Sequence, residues 1–496
     1  MRPVDIAIFI IYLAGIVIYG SLFFRKNKTA LAYTLGNRNI PTWVISMSIF
    51  ATFVSSISYL ALPGQAFESN WNPFVFSISM PLASFMAARF FVPLYRSVNS
   101  PSAYHYLEQR FGPWAKIYAS SMYLLTQLMR TGTILYLLAL TLNVIMGWSM
   151  VTIIIITCAC VMIYAIMGGI QAVIWTDAIQ GIILIAGAVA CMIILLFSMP
   201  SGPDQIFRIA AENHKFSLGS LKPDLMQSSF WVVLLYGIFI NLQNFGIDQN
   251  YIQRYMTAVD DKQAKKSAIY GGLLYIPVSM LFLFIGTSLF AYYSIHQNIL
   301  PPSTPSDRVF PFFIFHNLPA GFTGLLIASV FAAGMSTIST SVNSSATVIL
   351  NDFFKVRENG DSNRKSMRIL YGSTLIFSLL SIFIAIAMIN VKSALDAWWK
   401  LASIFSGGML GLFLLGYFGK KVNNTSAAIG VVSGVLVIGW MSLSPFLARF
   451  ECMKSFINPF HSYLTIVFGT AVVFITGFLS GIFLKKKAHQ LTKNAN

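Results

Sequence analysis

The chain has 496 residues, of which 56% are hydrophobic and only 10% charged, and its mean hydropathy is +0.71. A soluble domain carries about 25% charged residues, so the composition excludes a disordered chain and argues against a water-soluble globule. The formal charge of +17, from 33 Lys and Arg against 16 Asp and Glu, would suggest nucleic acid in a soluble protein, but in a lipid-embedded chain it first reports orientation.

A bilayer-crossing helix needs about 20 apolar residues. Apolar runs at 4–24, 40–64, 72–95, 114–146, 150–167, 170–198, 227–252, 268–294, 319–349, 369–390, 395–418, 424–446 and 461–484 predict thirteen spans, an all-α polytopic membrane protein. The first run is followed by Arg25, Lys26 and Lys28, which puts positive charge on the wrong side for a cleaved signal peptide, so a retained first span is expected. With the N-terminus outside, the inner segments collect 22 Lys and Arg, among them Arg254, Lys355, Arg357, Lys421 and Lys485. The outer segments hold 8, including Lys392, Arg449 and Lys454. That bias predicts a multi-pass protein of the cell (inner) membrane with its N-terminus outside and its C-terminus cytoplasmic.

The longest loops, 199–226, 295–318 and 350–368, are too short to build a soluble domain, so function must sit within or between helices. The expected organisation is a leading helix and cytoplasmic loop at 1–38, five spans with an outer loop at 39–226, five more at 227–423, and two trailing helices with a cytoplasmic tail at 424–496. Because five is odd, the second set has the opposite orientation to the first. Inverted repeats of this kind place a substrate site at the midplane, between helices that unwind there.

Catalysis finds little support. Cys158, Cys160 and Cys191 lie in apolar runs and Cys452 near the end of a loop, with no disulfide framework, and the six histidines form no metal-ligand pair. No nucleophile, base and orienting group converge, so an enzyme is not expected. Neither nucleic acid nor an obligate protein partner is indicated.

Two segments are too polar to be continuous lipid-facing helices: Ser48–Gln65 and Asn241–Arg254, each opening one of the two sets of five. Ser55, Ser56 and Ser58 with Pro63 and Gly64 combine hydroxyls with a helix breaker, an irregularity tolerated at membrane depth only where protein or a water-filled cavity satisfies the backbone. In the ninth run, Ser336, Thr337, Ser339 and Thr340 stand three and four residues apart on one helix face. Neutral hydroxyls and carbonyls suit an alkali ion that must be released again; Ala332, Ala333 and Gly334 also read as a small-residue packing seam.

A charge at the bilayer centre is costly, which makes three ionisable residues informative. Asp177, in GGIQAVIWTDAIQG, is a candidate cation ligand or structural partner. Arg130 has no acid nearby on its own helix and suits a substrate carboxylate, which its planar fork binds through both oxygens, or an acid on another helix. Asp248 stands beside Gln249 in the second irregular segment. Asp396 and Lys400, at i,i+4, are expected to pair with each other.

At these residues the sequence resembles the sodium:solute symporter family, on three blocks: GGIQAVIWTDAIQG (168–181), DQNYIQRYMTAVDDKQAKKSA (248–268) and FAAGMSTISTSVNSSATVILNDFF (331–354). The resemblance covers about residues 4–485 and implies a leucine-transporter-type fold: a 5+5 inverted repeat with one extra N-terminal and two extra C-terminal helices. It further implies one or two co-transported sodium ions. The first would be held by the carbonyls of Ala51, Val54 and Ala333 with the hydroxyls of Ser336 and Thr337. The second, found in only some members, would be held by Asp177 with Ser336, Ser339 and Thr340. Block 51–58 and Arg130 look most like the bacterial sodium–sialic acid symporters. That likeness implies a substrate site of Arg130, Ser55 and Ser58 with Phe53, Ser77, Phe245, Asp248 and Gln249. Phe53 stands where those transporters place a threonine, Ser77 where they place a glutamine, and Asp248-Gln249 replaces the Asn-Gln of the sugar symporters.

The expected function is therefore sodium-coupled import of a small organic solute by alternating access. A carboxylate such as sialic acid comes first, and a sugar or a small monocarboxylate is the alternative. A sensor would need a signalling module, which the tail Lys485–Asn496 does not offer, and a channel would need a continuous polar file.

Overall fold

The structure, a computed structural model, describes residues 2–25, 29–302, 304–354, 362–391, 393–420, 422–445 and 455–494. Lys26, Lys28, Lys355, Arg357, Lys392, Lys421, Arg449, Lys454 and Cys452 lie outside them. Among the described residues the regular secondary structure is all helical, apart from one isolated bridge between Ile40 and Ala258. Helices are what long apolar runs must form in lipid, where each backbone N–H and C=O has to be satisfied within its own segment.

In chain order the main helices are α1 (Pro3–Phe24), α2 (Thr42–Phe53), α3 (Ile57–Glu68), α4 (Phe74–Val98), α5 (Pro113–Asn143), α6 (Met150–Phe197), α7 (Phe230–Ile247) and α8 (Gln249–Met256). They continue as α9 (Asp261–Ile295), α10 (Phe322–Phe353), α11 (Asn363–Asn390), α12 (Leu395–Phe418), α13 (Asn424–Leu443) and α14 (Ser462–Leu484). Eleven of these are long and apolar enough to cross a membrane, and α2 with α3, bent by 60° at the break between them, meet the same criterion when taken together.

The sequence predicts thirteen. The difference lies in α6, which runs through 48 residues where two spans are expected. At 1.5 Å per residue that is about 72 Å, more than twice the roughly 30 Å of hydrocarbon. Gly169 breaks it, with φ 54° and ψ −162°. A Cβ there would sit 2.9 Å from the Tyr33 carbonyl oxygen, so both the left-handed backbone and the close approach require glycine.

Burial sorts the helices into centre and rim. The apolar window of α10 is 94% buried, against 17% for α1 and 33% for α11 and α14, so α10 forms the middle of the molecule and the other three face lipid. Small residues let neighbours close on α10. A Cβ on Gly187 of α6 would lie 2.0 Å from Ser329 Oγ, and one on Gly334 would lie 2.6 Å from Leu138 of α5. The start of α10 is capped from α1, where buried Asp5 accepts from the N–H groups of Gly321 (2.7 Å) and Gly324 (3.1 Å). An anion at this end meets unpaired amides and the positive pole of the helix.

Both expected interruptions are present. The helical ladder of α2 ends with Val54 N–H on the Phe50 carbonyl (2.9 Å) and resumes with Tyr59 N–H on the Ser55 carbonyl (3.0 Å), leaving the carbonyls of Ala51 to Val54 between these two bonds. The second break is a single extended residue, Asp248 (φ −80°, ψ 125°), whose Oδ1 accepts from Asn250 N–H at 2.8 Å and so caps α8.

Candidate functional site

The two breaks and α5 surround a pocket. Phe53, Ser55 and Ser58 line it from the first break, Gln127 and Arg130 from α5, Gln243, Asn244 and Asp248 from the second break, and Trp398 and Trp399 from α12. One wall is aromatic: the Phe53 ring lies 4.5 Å from that of Tyr275 and 6.2 Å from that of Phe76. The opposite wall is polar and charged. Arg130 is 7% exposed, donates from Nη2 to the Thr52 carbonyl (2.8 Å) and stands 5.9 Å from the Trp398 ring. Among the described residues no carboxylate lies within ion-pair distance of it. Asp248, its nearest candidate, is held instead by Gln127 Nε2 on Oδ2 at 2.9 Å. A buried guanidinium with no carboxylate at ion-pair distance among the described residues, facing a pocket, is suited to an anionic group.

Several predicted substrate residues are placed elsewhere. Phe245 stands behind Phe53, with ring centroids 5.9 Å apart, and Ser77 is buried outside the pocket lining. Gln249 does not line the pocket either. It is fully buried, donates to the Pro101 carbonyl (2.6 Å) and accepts from Ala103 N–H (2.8 Å), so its amide is spent tying α8 to the loop before His105. Being next to Asp248 in sequence does not bring it to the pocket, because the helix that starts there turns consecutive side chains about 100° apart.

The second cluster lies where α10 faces the first break. Thr337 Oγ1 donates to the carbonyls of Ala333 (3.2 Å) and Thr52 (3.4 Å), and Thr340 Oγ1 stands 3.4 Å from Thr52 Oγ1. Ala51, Val54, Ala333, Ser336, Thr337, Ser339 and Thr340 are all buried. Asp177 joins them from α6: Ser336 Oγ donates to its Oδ1 (2.8 Å) and Ser48 Oγ to its Oδ2 (2.7 Å).

Arg254 shows what sequence reasoning missed. Counted among the solvated charges of an inner segment, it is instead wholly buried and pairs with Asp177 through Nη2 and Oδ2 at 2.6 Å. A buried carboxylate needs a counter-ion, which is the physical reason the loop assignment fails. Its position inside the DQNYIQRY block was the available signal. Gln127, one turn before Arg130 on the same face of α5, was likewise readable from i,i+3 spacing. Trp398 and Trp399 were not, since nothing in their local sequence points inward. The expected Asp396–Lys400 pair is present at 2.7 Å, with both side chains near half-exposed.

A vestibule lined by Gln65, Asn70, Asn72, Lys222 and Asp224 shares Pro73 and Trp399 with the pocket. At the opposite end the Gln249 contacts and the Asp352 carboxylate, which accepts from Ser102 (2.7 Å) and Ser120 (2.6 Å), fasten the helices together.

The model of the sodium:solute symporter family matches residues 33–434. The chain belongs to that family. Among the relatives of this sodium:solute symporter, the sodium/sialic acid symporter SiaT of Proteus mirabilis is 32% identical over 440 residues, covering 88% of each chain. The sodium/sialic acid symporter NanT of Aliivibrio fischeri is 31% identical over 482 residues, covering 96% of this chain and 92% of its own. A solved structure of a Na+-coupled sialic acid symporter in a substrate-bound, outward-open state superposes with a TM-score of 0.88 at 29% identity, covering 97% of this chain and 98% of that one. The nucleobase-cation symporter Mhp1 shares the fold, with a TM-score of 0.58 at 15% identity over 93% of this chain and 96% of its own.

Proposed function

We propose that this protein is a sodium-coupled symporter importing sialic acid, with Arg130 receiving the substrate carboxylate. The observation that carries the reading is Arg130 itself: a buried cation with no carboxylate at ion-pair distance among the described residues, on the wall of a pocket whose floor is the first helix break. The polar wall of Gln127, Gln243 and Asn244 suits the hydroxyl and amide groups of an acidic sugar, and the aromatic wall of Phe53, Phe76 and Tyr275 its ring and carbon chain. A small monocarboxylate would use Arg130 equally but leave that polar wall unpaired, which costs affinity. The relatives named above, both sodium/sialic acid symporters, support the same substrate.

The carbonyls of Ala51, Val54 and Ala333 with the hydroxyls of Ser336 and Thr337 form the proposed first sodium site, and Asp177, Ser336, Ser339 and Thr340 the second. An ion in the first site joins the broken span to α10 and so sets the positions of Phe53, Ser55 and Ser58 in the pocket. Substrate then completes the link between α5 and the first break, and closure of the vestibule releases the fastening around Gln249. Two sodium ions carried with one monoanion move one net positive charge, and a potential of 100 mV is worth about 2.3 kcal/mol per charge, so voltage as well as the sodium gradient drives uptake.

In this reading α6 counts as two spans joined at Gly169, which gives thirteen, with inverted repeats at 39–226 and 227–423. The N-terminus is outside, the C-terminus is cytoplasmic, and the vestibule opens outward. A single chain holds both kinds of site, so no obligate protein partner is needed. The test is uptake of labelled sialic acid into proteoliposomes, with and without a sodium gradient, against a panel of competing sugars and acids. Accumulation that requires sodium and is competed by sialic acid supports the reading, and uptake indifferent to sodium ends it.

A further inference from the structure

We infer that Arg254 is a tethered cation that holds the place of the second sodium ion and must yield it when the ion enters. The inference rests on the sodium-symport reading and deepens it. The Arg254 side chain is fully buried and each of its nitrogens is engaged. Nε donates to Ser48 Oγ (2.7 Å), Nη1 to the Asn250 carbonyl (2.6 Å), and Nη2 to both Asp177 Oδ2 and Thr340 Oγ1 at 2.6 Å. Two of the four oxygen-bearing side chains proposed for the second sodium therefore direct lone pairs at one guanidinium nitrogen. The other two are committed as well: Ser336 Oγ donates to Asp177 Oδ1 at 2.8 Å and Ser339 Oγ to the Ser336 carbonyl at 3.0 Å.

A sodium ion on Asp177 Oδ2 and Thr340 Oγ1 would stand against the guanidinium in a low-dielectric interior, where like charges repel strongly. Exchange of one monovalent cation for the other instead keeps the carboxylate neutralised throughout. Arg254 belongs to α8, whose Asn250 accepts from Tyr123 Oη (2.8 Å) and donates to Gln127 Oε1 (2.9 Å), the same Gln127 that holds Asp248 at the pocket wall. Displacing the guanidinium thus loosens a helix tied to the pocket. The second sodium acts on substrate through Arg254 as a positioning residue, without touching substrate.

The decisive measurement is hydrogen–deuterium exchange on the full-length protein without substrate, in sodium and with sodium replaced by choline. The expected result is faster exchange at 249–256 in sodium, together with slower exchange at 50–58, where the first ion joins the break to α10. Protection at 50–58 with unchanged or slower exchange at 249–256 overturns the role of Arg254 and leaves sodium coupling standing. No sodium effect on either segment overturns sodium coupling itself. In the variant Arg254→Gln, exchange at 249–256 should already be fast in choline, and sodium should bind about tenfold more tightly because its competitor is gone; unchanged or weaker sodium binding contradicts the proposal. Should loss of the buried ion pair impair folding, Asp177→Asn/Arg254→Gln keeps the site neutral. Exchange at 249–256 in that protein should no longer respond to sodium, and a retained response would refute the exchange.

Discussion

Gln127 holds Asp248 at 2.9 Å through Nε2 and Oδ2, one helical turn from the guanidinium that the same carboxylate would otherwise neutralise. Its Oε1 accepts from Asn250 Nδ2 and Ser341 Oγ, both at 2.9 Å, so the amide is fixed at both ends. Gln127→Ala should release Asp248 toward Arg130 and weaken carboxylate binding by about tenfold, the scale of one buried hydrogen bond to a charged group. Adding Asp248→Asn should restore most of it. Binding measured by titration calorimetry in both variants checks the order of effects.

Arg130→Ala should abolish sialic acid uptake, with affinity falling by roughly a hundredfold, as expected for loss of a two-pronged charge-assisted contact. Sodium-induced thermal stabilisation should survive. Arg130→Lys keeps the charge but not the planar fork and should recover only part of the uptake. Undiminished transport by Arg130→Ala would remove this residue from the substrate site.

Thr337→Ala should raise the sodium concentration needed for half-maximal uptake while leaving the maximal rate at saturating sodium largely intact, since the lost hydroxyl faces the carbonyls of Ala333 and Thr52 and not the pocket. Ser336→Ala should have the larger effect because its hydroxyl belongs to both proposed sodium sites and also bonds Asp177. Sodium titrations of initial uptake rate separate the two.

Gln249→Ala should leave the pocket chemistry intact and loosen the closed end of the molecule. The variant loses a donor to the part-buried Pro101 carbonyl and an acceptor for the buried Ala103 N–H. Faster hydrogen exchange at 100–104 and a lower apparent affinity for external substrate are expected, because part of the population leaves the state that is open to the vestibule. Unchanged exchange there would show that the fastening lies elsewhere.

Gly286→Ala should be poorly tolerated. A Cβ there would lie 2.1 Å from the Pro63 carbonyl oxygen of α3, a contact that only backbone movement can relieve. Overpacking of this kind costs about 1–3 kcal/mol or more, visible as a lowered melting temperature in detergent. Lys400→Ala, by contrast, removes one end of an ion pair near half-exposed at both ends and should change stability by less than about 1 kcal/mol.

The sequence by itself determined the lipid-embedded helical class, the places where helices break, and the pairing of Asp396 with Lys400. Each depends on local physics: the length of an apolar run, a cluster of hydroxyls with a helix breaker, or the fixed i,i+4 geometry of one helix. The tertiary structure decided which buried charges neutralise one another. Asp177 and Arg254 are 77 residues apart and meet only because α6 and α8 both close on α10, which turned an apparent loop charge into the counter-ion of a proposed ion site. Packing alone also sent Gln249 away from the pocket and brought Trp398 and Trp399 into it. Hydropathy and spacing carry no information about contacts between distant helices, because the energy that selects those contacts resides in the assembled interior, where an unpaired charge is not tolerated.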